Sequence, residues 1–259
     1  MGQLHAVTEG SGADVVLLHG WGMNGRIWSS LLPRLADHYR LTVVDLPGHG
    51  GSPSPSGSDP GGWVEMLLEA APPQAIWVGW SLGGMLALLA AAARPERVQA
   101  VATIASNLRF VASDDWSEAV SPALFQDMVD GVIEEPVRTL QRFVALQFIG
   151  VRSAEVAALS RRLRARIAAS PPDAHDLVLG LELLRAIDNR SLVGALRVPQ
   201  QMIFGARDKL VPVGAAKRIS AMAPAAEVVT LDGAGHAPFL THPDALMARL
   251  QPFLQRHAC

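Results

Sequence analysis

Gly79-Trp80-Ser81-Leu82-Gly83 sets a serine midway between two glycines, the spacing of a G-x-S-x-G motif. By itself the pattern is only moderately specific, and a serine at such a place can equally serve as a helix N-cap. Its surroundings sharpen it. The run AIWVGW (75–80) is apolar and rich in β-formers, and LGGMLALLAAAA (82–93) is rich in helix formers, so Ser81 falls on a strand-to-helix turn. Flanking glycines permit the tight turn that lifts a hydroxyl above the sheet, and the helix start aims free N–H groups and a positive dipole end at the same point.

A serine hydroxyl becomes a competent nucleophile only when a base takes its proton and a third group orients that base. For a nucleophile on this kind of turn the expected chain order is serine, acid, histidine. Of eight histidines, His236 in GHAPFLTHP (235–243) follows the last apolar strand and precedes the final helix, which puts it on a loop at the carboxyl end of the sheet. His19 and His49 precede Ser81, whereas His5, His38, His175 and His257 follow no suitable strand, and His242 reads as a capping or surface residue. Asp208 in GARDKLVP lies just beyond another apolar strand and is the expected acid, ahead of Asp188, Asp232 and Asp45. Hydrolysis through a tetrahedral intermediate also needs two N–H donors for the oxyanion. The N–H groups of Leu82, after the serine, and Trp21, in the loop HGWG (19–22), are the candidates.

Positioning these loops requires a sheet. Near-continuous apolar runs occur at 15–20, 40–46, 75–80, 98–106, 200–206 and 226–232, as expected for parallel strands covered on both faces. Helical stretches at 26–36, 62–70, 82–93, 213–222 and 244–256 have the length of crossovers. The fold class is therefore α/β, a mostly parallel central sheet flanked by helices. The rhythm stops between residues 107 and 190, where helical patterns dominate and no strand is evident. This divides the chain into a first core part (1–106), a helical cap (107–190) and a second core part (191–259). GHGGSPSPSGSDPGG (48–62) is a loop by composition.

Composition bounds the function. The chain has 259 residues, 49% hydrophobic and 18% charged, with a formal net charge of -2. That suits a globular protein with a large core and carries no footprint for nucleic acid or an anionic membrane. The single cysteine, Cys259, excludes an intramolecular disulfide or a cysteine-based zinc site, and the site needs no metal or other cofactor. No signal-peptide pattern opens the sequence, so a cytoplasmic protein is expected; separately, a monomer is the expectation. AIWVGWSLGGMLALLAAAA is long enough to span a bilayer, but its central glycines favour a buried strand turning into a buried helix.

As a set, HGWG (19–22), VDLPGHGGS (44–52), GWSLGG (79–84), RPERVQA (94–100), GARDKLVP (205–212) and GHAPFLTHP (235–243) resemble the α/β-hydrolase superfamily of serine esterases across the whole chain. Within it, HGWGMN, Trp80 inside the elbow, FVALQ (143–147) and HAPFLTHP look most like the biotin-pathway esterases that cleave the methyl ester of pimeloyl-[acyl-carrier protein]. The resemblance implies a helical lid over Ser81. It further implies an acyl site formed by Trp21, Ser81, Leu82, Phe143, Val144, Ala145, Leu146, Gln147 and His236, and cationic lid residues that receive an acidic carrier protein.

The lid sequence bears on that last point. From 136 to 166 there are seven arginines and one acid, Glu155, a local charge of +6 that leaves -8 on the rest. An excess of this size steers anionic partners, and arginine binds carboxylate and phosphate through paired donors. Arg138, Arg142, Arg152, Arg161 and Arg162 are the docking candidates. Arg138 and Arg142 fall where the family pattern carries cations, whereas the arginines from 161 onward cluster differently.

The sequence thus reads as a cofactor-free serine carboxylesterase, and the resemblance implies that it releases methanol and pimeloyl-[acyl-carrier protein]. A broad small-ester esterase or a carbon-carbon bond hydrolase of the same fold is the alternative within enzymes. A ligand receptor that keeps the fold without catalysis is the alternative outside them.

Overall fold

The computed structural model describes residues 2–149, 151 and 153–258, so Arg152 and Cys259 lie outside the described residues. Seven strands run in chain order: β1 (Ala6–Glu9), β2 (Ala13–Leu18), β3 (Tyr39–Val44), β4 (Ala75–Trp80), β5 (Val98–Ile104), β6 (Gln200–Gly205) and β7 (Glu227–Leu231). They form one sheet in the order β1-β3-β2-β4-β5-β6-β7. All neighbours are parallel except β1 on β3, which is antiparallel. Every residue of β4 is buried, which explains its unbroken apolar sequence: helices cover both faces.

Before the insertion come α1 (Leu32–Leu35), α2 (Pro60–Ala70) and α3 (Leu82–Ala93). The insertion contributes α4 (Pro122–Glu134), α5 (Pro136–Leu146), α6 (Ala154–Ala169) and α7 (Ala174–Ala186). After it follow α8 (Arg190–Val193), α9 (Gly214–Met222), α10 (Pro238–Thr241) and α11 (Pro243–His257). The caps are local. Asp59 accepts from Gly62 N–H ahead of α2, Ser121 from Leu124 ahead of α4 and Ser153 from Val156 ahead of α6, each leaving one fewer unpaired donor in the first turn.

Two elements differ from the sequence expectation. Residues 26–36 are not one helix but a 3-10 turn over Gly25–Ser30 followed by the single turn α1. Pro33 lies in that second turn and has no N–H to continue a helix through it. Strand β1 went unpredicted because all four of its residues are exposed, so it has no apolar run.

The stretch 75–93 resolves into strand β4, a turn at Ser81 and helix α3. Among the described residues no helix is long and apolar enough to cross a membrane. The insertion leaves the sheet after β5 and returns before β6, and its two ends are tied together. Arg109 pairs with Asp188 at 3.0 Å, and Asn189 N–H donates to Leu108 O at 2.8 Å. Arg190 also grips Asp188, and this hydrogen bonding pulls the Asp188 carboxyl down to about 2.

Candidate active site

Ser81 sits at φ 54°, ψ -118°, outside the regions ordinary residues favour. Its side chain makes no capping bond to α3, so the N-cap reading fails and the hydroxyl is free for other work. The strained turn is held by its neighbours. Ser81 N–H donates to Ile104 O at 3.0 Å and the Ser106 hydroxyl donates to Ser81 O at 2.8 Å. The motif glycines are needed for contact rather than freedom alone: a Cβ on Gly79 would lie 2.3 Å from Gly83 O, and one on Gly83 would lie 2.4 Å from Leu18 O.

The loops after β6 and β7 bring the other two groups. They pack backbone to backbone, with Arg207 N–H donating to Ala234 O at 2.8 Å and Gly205 lying against Gly235 O. Asp208 Oδ1 accepts from the N–H groups of Leu210 and Val211 at 2.8 and 3.0 Å, which aims Oδ2 at the histidine. His236 Nδ1 lies 2.8 Å from Asp208 Oδ2, and His236 Nε2 lies 3.1 Å from Ser81 Oγ. A carboxylate can only accept, so Nδ1 carries the proton and the Nε2 lone pair is left to accept from the Ser81 hydroxyl. All three residues are buried. The sequence-derived candidates Ser81, Asp208 and His236 therefore meet in one hydrogen-bonded chain, the arrangement acyl transfer uses.

The base is gripped at both backbone ends. Trp80 Nε1–H donates to His236 O at 2.7 Å, and His236 N–H donates to Gln147 O at 3.3 Å. The first contact comes from the nucleophile turn, the second from the end of α5 in the insertion.

Trp21 lies in the turn after β2, closed by Met23 N–H donating to Gly20 O at 3.2 Å. Among the described residues neither the Trp21 nor the Leu82 main-chain N–H donates to a protein acceptor, as groups reserved for an oxyanion would require. The Trp21 indole donates to Leu177 O on α7 at 2.9 Å and meets the Phe143 ring edge-on at 4.9 Å. His19 supports this turn from below: its Nδ1–H donates to Gly20 O at 2.8 Å and its Nε2 accepts from Leu46 N–H at 2.9 Å. The second bond needs a neutral imidazole, and burial, reinforced by nearby His49, pushes His19 down to about 3.

Sequence reasoning set His19 aside because it precedes Ser81, and it gave Trp80 and Ser106 no role in holding the site. The adjacency of His19 to Gly20 was the available signal for the first. Nothing in sequence spacing shows that Trp80 reaches His236 or that Ser106 reaches Ser81. His242, expected to cap or lie at the surface, makes no capping bond to α11 and contacts Thr241 Oγ1.

The run Phe143–Gln147 is divided by helical geometry. Phe143, Val144 and Gln147 are buried, Leu146 is half-buried and Ala145 is exposed. Both amide atoms of the Gln147 side chain are buried without a protein partner. Of the lid cations, Arg138 pairs with Glu135 at 3.1 Å, an exposed bond of small energetic weight. Arg142 on α5 and Arg161 and Arg162 on α6 are exposed, while Arg152 lies outside the described residues. Among the described residues no group of three or more His, Cys, Asp or Glu side chains could hold a metal ion.

With a seven-stranded sheet, a nucleophile turn after β4 and an acid and a histidine on the loops after β6 and β7, the architecture defines a class. The chain belongs to the α/β-hydrolase fold family, which it matches over residues 15–243. Among curated relatives it is similar to the pimeloyl-[acyl-carrier protein] methyl ester esterase of Pectobacterium atrosepticum, with 40% identity over 98% of this chain and 100% of that one. The protein of the same name from Xanthomonas campestris pv. campestris is 42% identical over 97% of this chain and 98% of its own. Among solved structures, a bromoperoxidase from Bacillus anthracis superposes with a TM-score of 0.89 at 25% identity, covering 97% and 95% of the two chains. An esterase from Exiguobacterium antarcticum gives 0.87 at 19% identity over 98% and 100%, a likeness of fold alone.

Proposed function

We propose that this chain is the carboxylesterase that hydrolyses the methyl ester of pimeloyl-[acyl-carrier protein], releasing methanol and pimeloyl-[acyl-carrier protein] for biotin synthesis. The observation that carries the reading is the buried His236 bridge between Ser81 and Asp208, in a chain about 40% identical over nearly its whole length to esterases of that name.

In the reaction, Ser81 Oγ attacks the ester carbonyl while its proton passes to His236 Nε2. Asp208 keeps Nδ1 protonated and stabilises the imidazolium that forms. The main-chain N–H groups of Trp21 and Leu82 hold the oxyanion. Collapse of the tetrahedral intermediate returns the proton from His236 to the departing methoxide, leaving an acyl-serine and free methanol. Water, activated by the same imidazole, then attacks the acyl-serine, and the carboxylate is released with Ser81 restored. No residue group or cofactor beyond these is called on.

Trp21 and Phe143, in edge contact, form the wall of the acyl site nearest the oxyanion, with Leu146 and Val144 behind them. The unpartnered Gln147 amide supplies the polar end. The helical insertion, residues 107–190, serves as a lid, and the exposed Arg142, Arg161 and Arg162 with Arg138 present a positive face to an acidic carrier protein. A cytoplasmic monomer fits this role.

Turnover of a methyl-pimeloyl carrier protein against simple methyl esters tests the reading. A preference for the carrier substrate that weakens with added salt supports it, since docking through exposed charges is screened. Equal rates independent of salt favour a broad small-ester esterase instead. Covalent labelling of Ser81 by a fluorophosphonate separates either enzyme from a non-catalytic receptor, whose serine would stay unlabelled.

A further inference from the structure

The main-chain N–H of Leu82 and the carbonyl of Ser81 belong to one planar peptide unit, so whatever binds that carbonyl acts on that N–H. Ser81 O accepts from the Gly84 and Met85 N–H groups of α3 at 3.0 and 3.2 Å. Those two bonds already occupy the two lone pairs of a carbonyl. A third donor is nevertheless present, the Ser106 hydroxyl at 2.8 Å. Satisfying the carbonyl at the start of the helix does not require it.

The fold spends strain and space on placing this hydroxyl. Ser106 is buried and lies just beyond the end of β5. The residue before it, Ala105, has φ 45°, a left-handed conformation that residues other than glycine seldom take. The neighbours enforce it: Ala105 N–H donates to Ile203 O on β6 at 2.7 Å, and Ile104 O accepts from Ser81 N–H at 3.0 Å. Strain that the surroundings hold in place gathers at functional sites. Room is made from the other side. A Cβ on Gly84 would lie 2.7 Å from both Cβ and Oγ of Ser106, and 2.9 Å from Gly79 O. The last glycine of GWSLGG, which the G-x-S-x-G pattern does not ask for, is thereby explained.

We propose that Ser106 is a positioning residue for the oxyanion hole. Its hydroxyl fixes the plane of the 81–82 peptide, which keeps the Leu82 N–H aimed at the oxyanion. By polarising the Ser81 carbonyl it also makes that N–H a stronger donor as negative charge develops on the substrate oxygen. Hydrogen bonds linked in a chain strengthen one another in this way where water is excluded. Ser106 acts through the peptide and takes no part in proton transfer. The proposal rests on the esterase reading above, and within it on the Leu82 N–H as an oxyanion donor.

The test compares p-nitrophenyl acetate with its thionoester, in which sulfur replaces the carbonyl oxygen. Sulfur is the poorer hydrogen-bond acceptor, so the thionoester draws less on the oxyanion donors, while attack by Ser81 and proton transfer through His236 are common to both. In Ser106→Ala, kcat on the oxygen ester is expected to fall about tenfold with KM changed less than about twofold. That is less than the loss of about 10²–10³ that follows removal of an oxyanion donor itself. The thionoester should slow by no more than about threefold, so the oxygen-to-sulfur rate ratio shrinks. Ser106→Cys, which keeps a weaker donor, should fall between Ser106→Ala and the native protein. The Gly84 and Met85 bonds to Ser81 O remain available in both variants, and their circular dichroism should match the native spectrum. An oxygen-ester kcat within about twofold of native in Ser106→Ala overturns the proposal. So does an equal slowing of both substrates, which would mean that Ser106 only supports the position of Ser81. A native protein that hydrolyses the two esters at equal rates removes the oxyanion assignment itself, so failure of the underlying reading is told apart from failure of this proposal.

Discussion

The indole N–H of Trp80 donates to the main-chain carbonyl of His236 at 2.7 Å, so the residue before the nucleophile turn fixes the backbone of the base. Both groups are buried, and the rings lie 5.6 Å apart. Trp80→Phe keeps an aromatic ring but strands a buried carbonyl, at a cost of about 1–3 kcal/mol in stability. Because the lost bond holds the imidazole against Ser81, kcat for p-nitrophenyl acetate should fall about tenfold with KM little changed. Urea unfolding and steady-state kinetics measure the two effects separately.

Asp208→Asn leaves an acceptor for the Leu210 and Val211 N–H groups, so the loop should keep its shape. An amide facing His236 Nδ1 can present its NH2 group, which favours the wrong tautomer and takes the lone pair from Nε2. The expected loss in kcat is about 10⁴-fold with an unchanged circular dichroism spectrum. Ser81→Ala should lose at least as much on short p-nitrophenyl esters while remaining folded. Retained turnover in either variant would show that another residue carries the proton.

Stability should rise with pH between about 3 and 6.5. His19 is held neutral in the folded chain, its pKa pushed from 6.5 to about 3, and buried His49 is lowered in the same direction. Across that window the unfolded chain binds a proton at His19 that the folded chain excludes, so His19 removes about 1.4 kcal/mol per pH unit as the pH falls, and His49 acts in the same direction. Above pH 6.5 this contribution is complete. His19→Gln can keep one polar contact yet cannot titrate, and urea midpoints between pH 7 and pH 5 should fall less steeply for it than for the native chain.

Gly83→Ala should be among the most damaging small substitutions. Its Cβ would lie 2.4 Å from Leu18 O and 2.6 Å from His19 O, both main-chain atoms of β2 and the turn that carries Trp21. Neither can move without displacing the site, so a loss of about 3 kcal/mol is expected. Gly57→Ala, whose Cβ meets nothing within 4 Å, is the matched control. Thermal unfolding of the two variants provides the comparison.

Much of this protein is determined by sequence alone. Strands buried on both faces must be apolar throughout, so β4 and its neighbours are visible as runs, and the change from β-formers to Ala and Leu across Ser81 marks the nucleophile turn. The order Ser81, Asp208, His236 follows from loops that each succeed an apolar strand. Where burial is absent the signal goes with it: β1 is exposed and has no pattern, and Pro33 breaks a helix that composition alone would continue. What only the tertiary structure decided is which distant groups touch. Trp80 reaches across 156 positions to His236, and the Trp21 indole likewise reaches Leu177. The buried turn histidine His19 supports the turn that carries Trp21, and the end of α5 holds His236 through Gln147 O. The Leu177 and Gln147 contacts depend on how the insertion folds back onto the loops that carry Trp21 and His236, and the other two on how the core loops meet. Hydrogen-bond partners distant in sequence leave no periodicity behind, since each needs only a donor or a carbonyl at the right point in space.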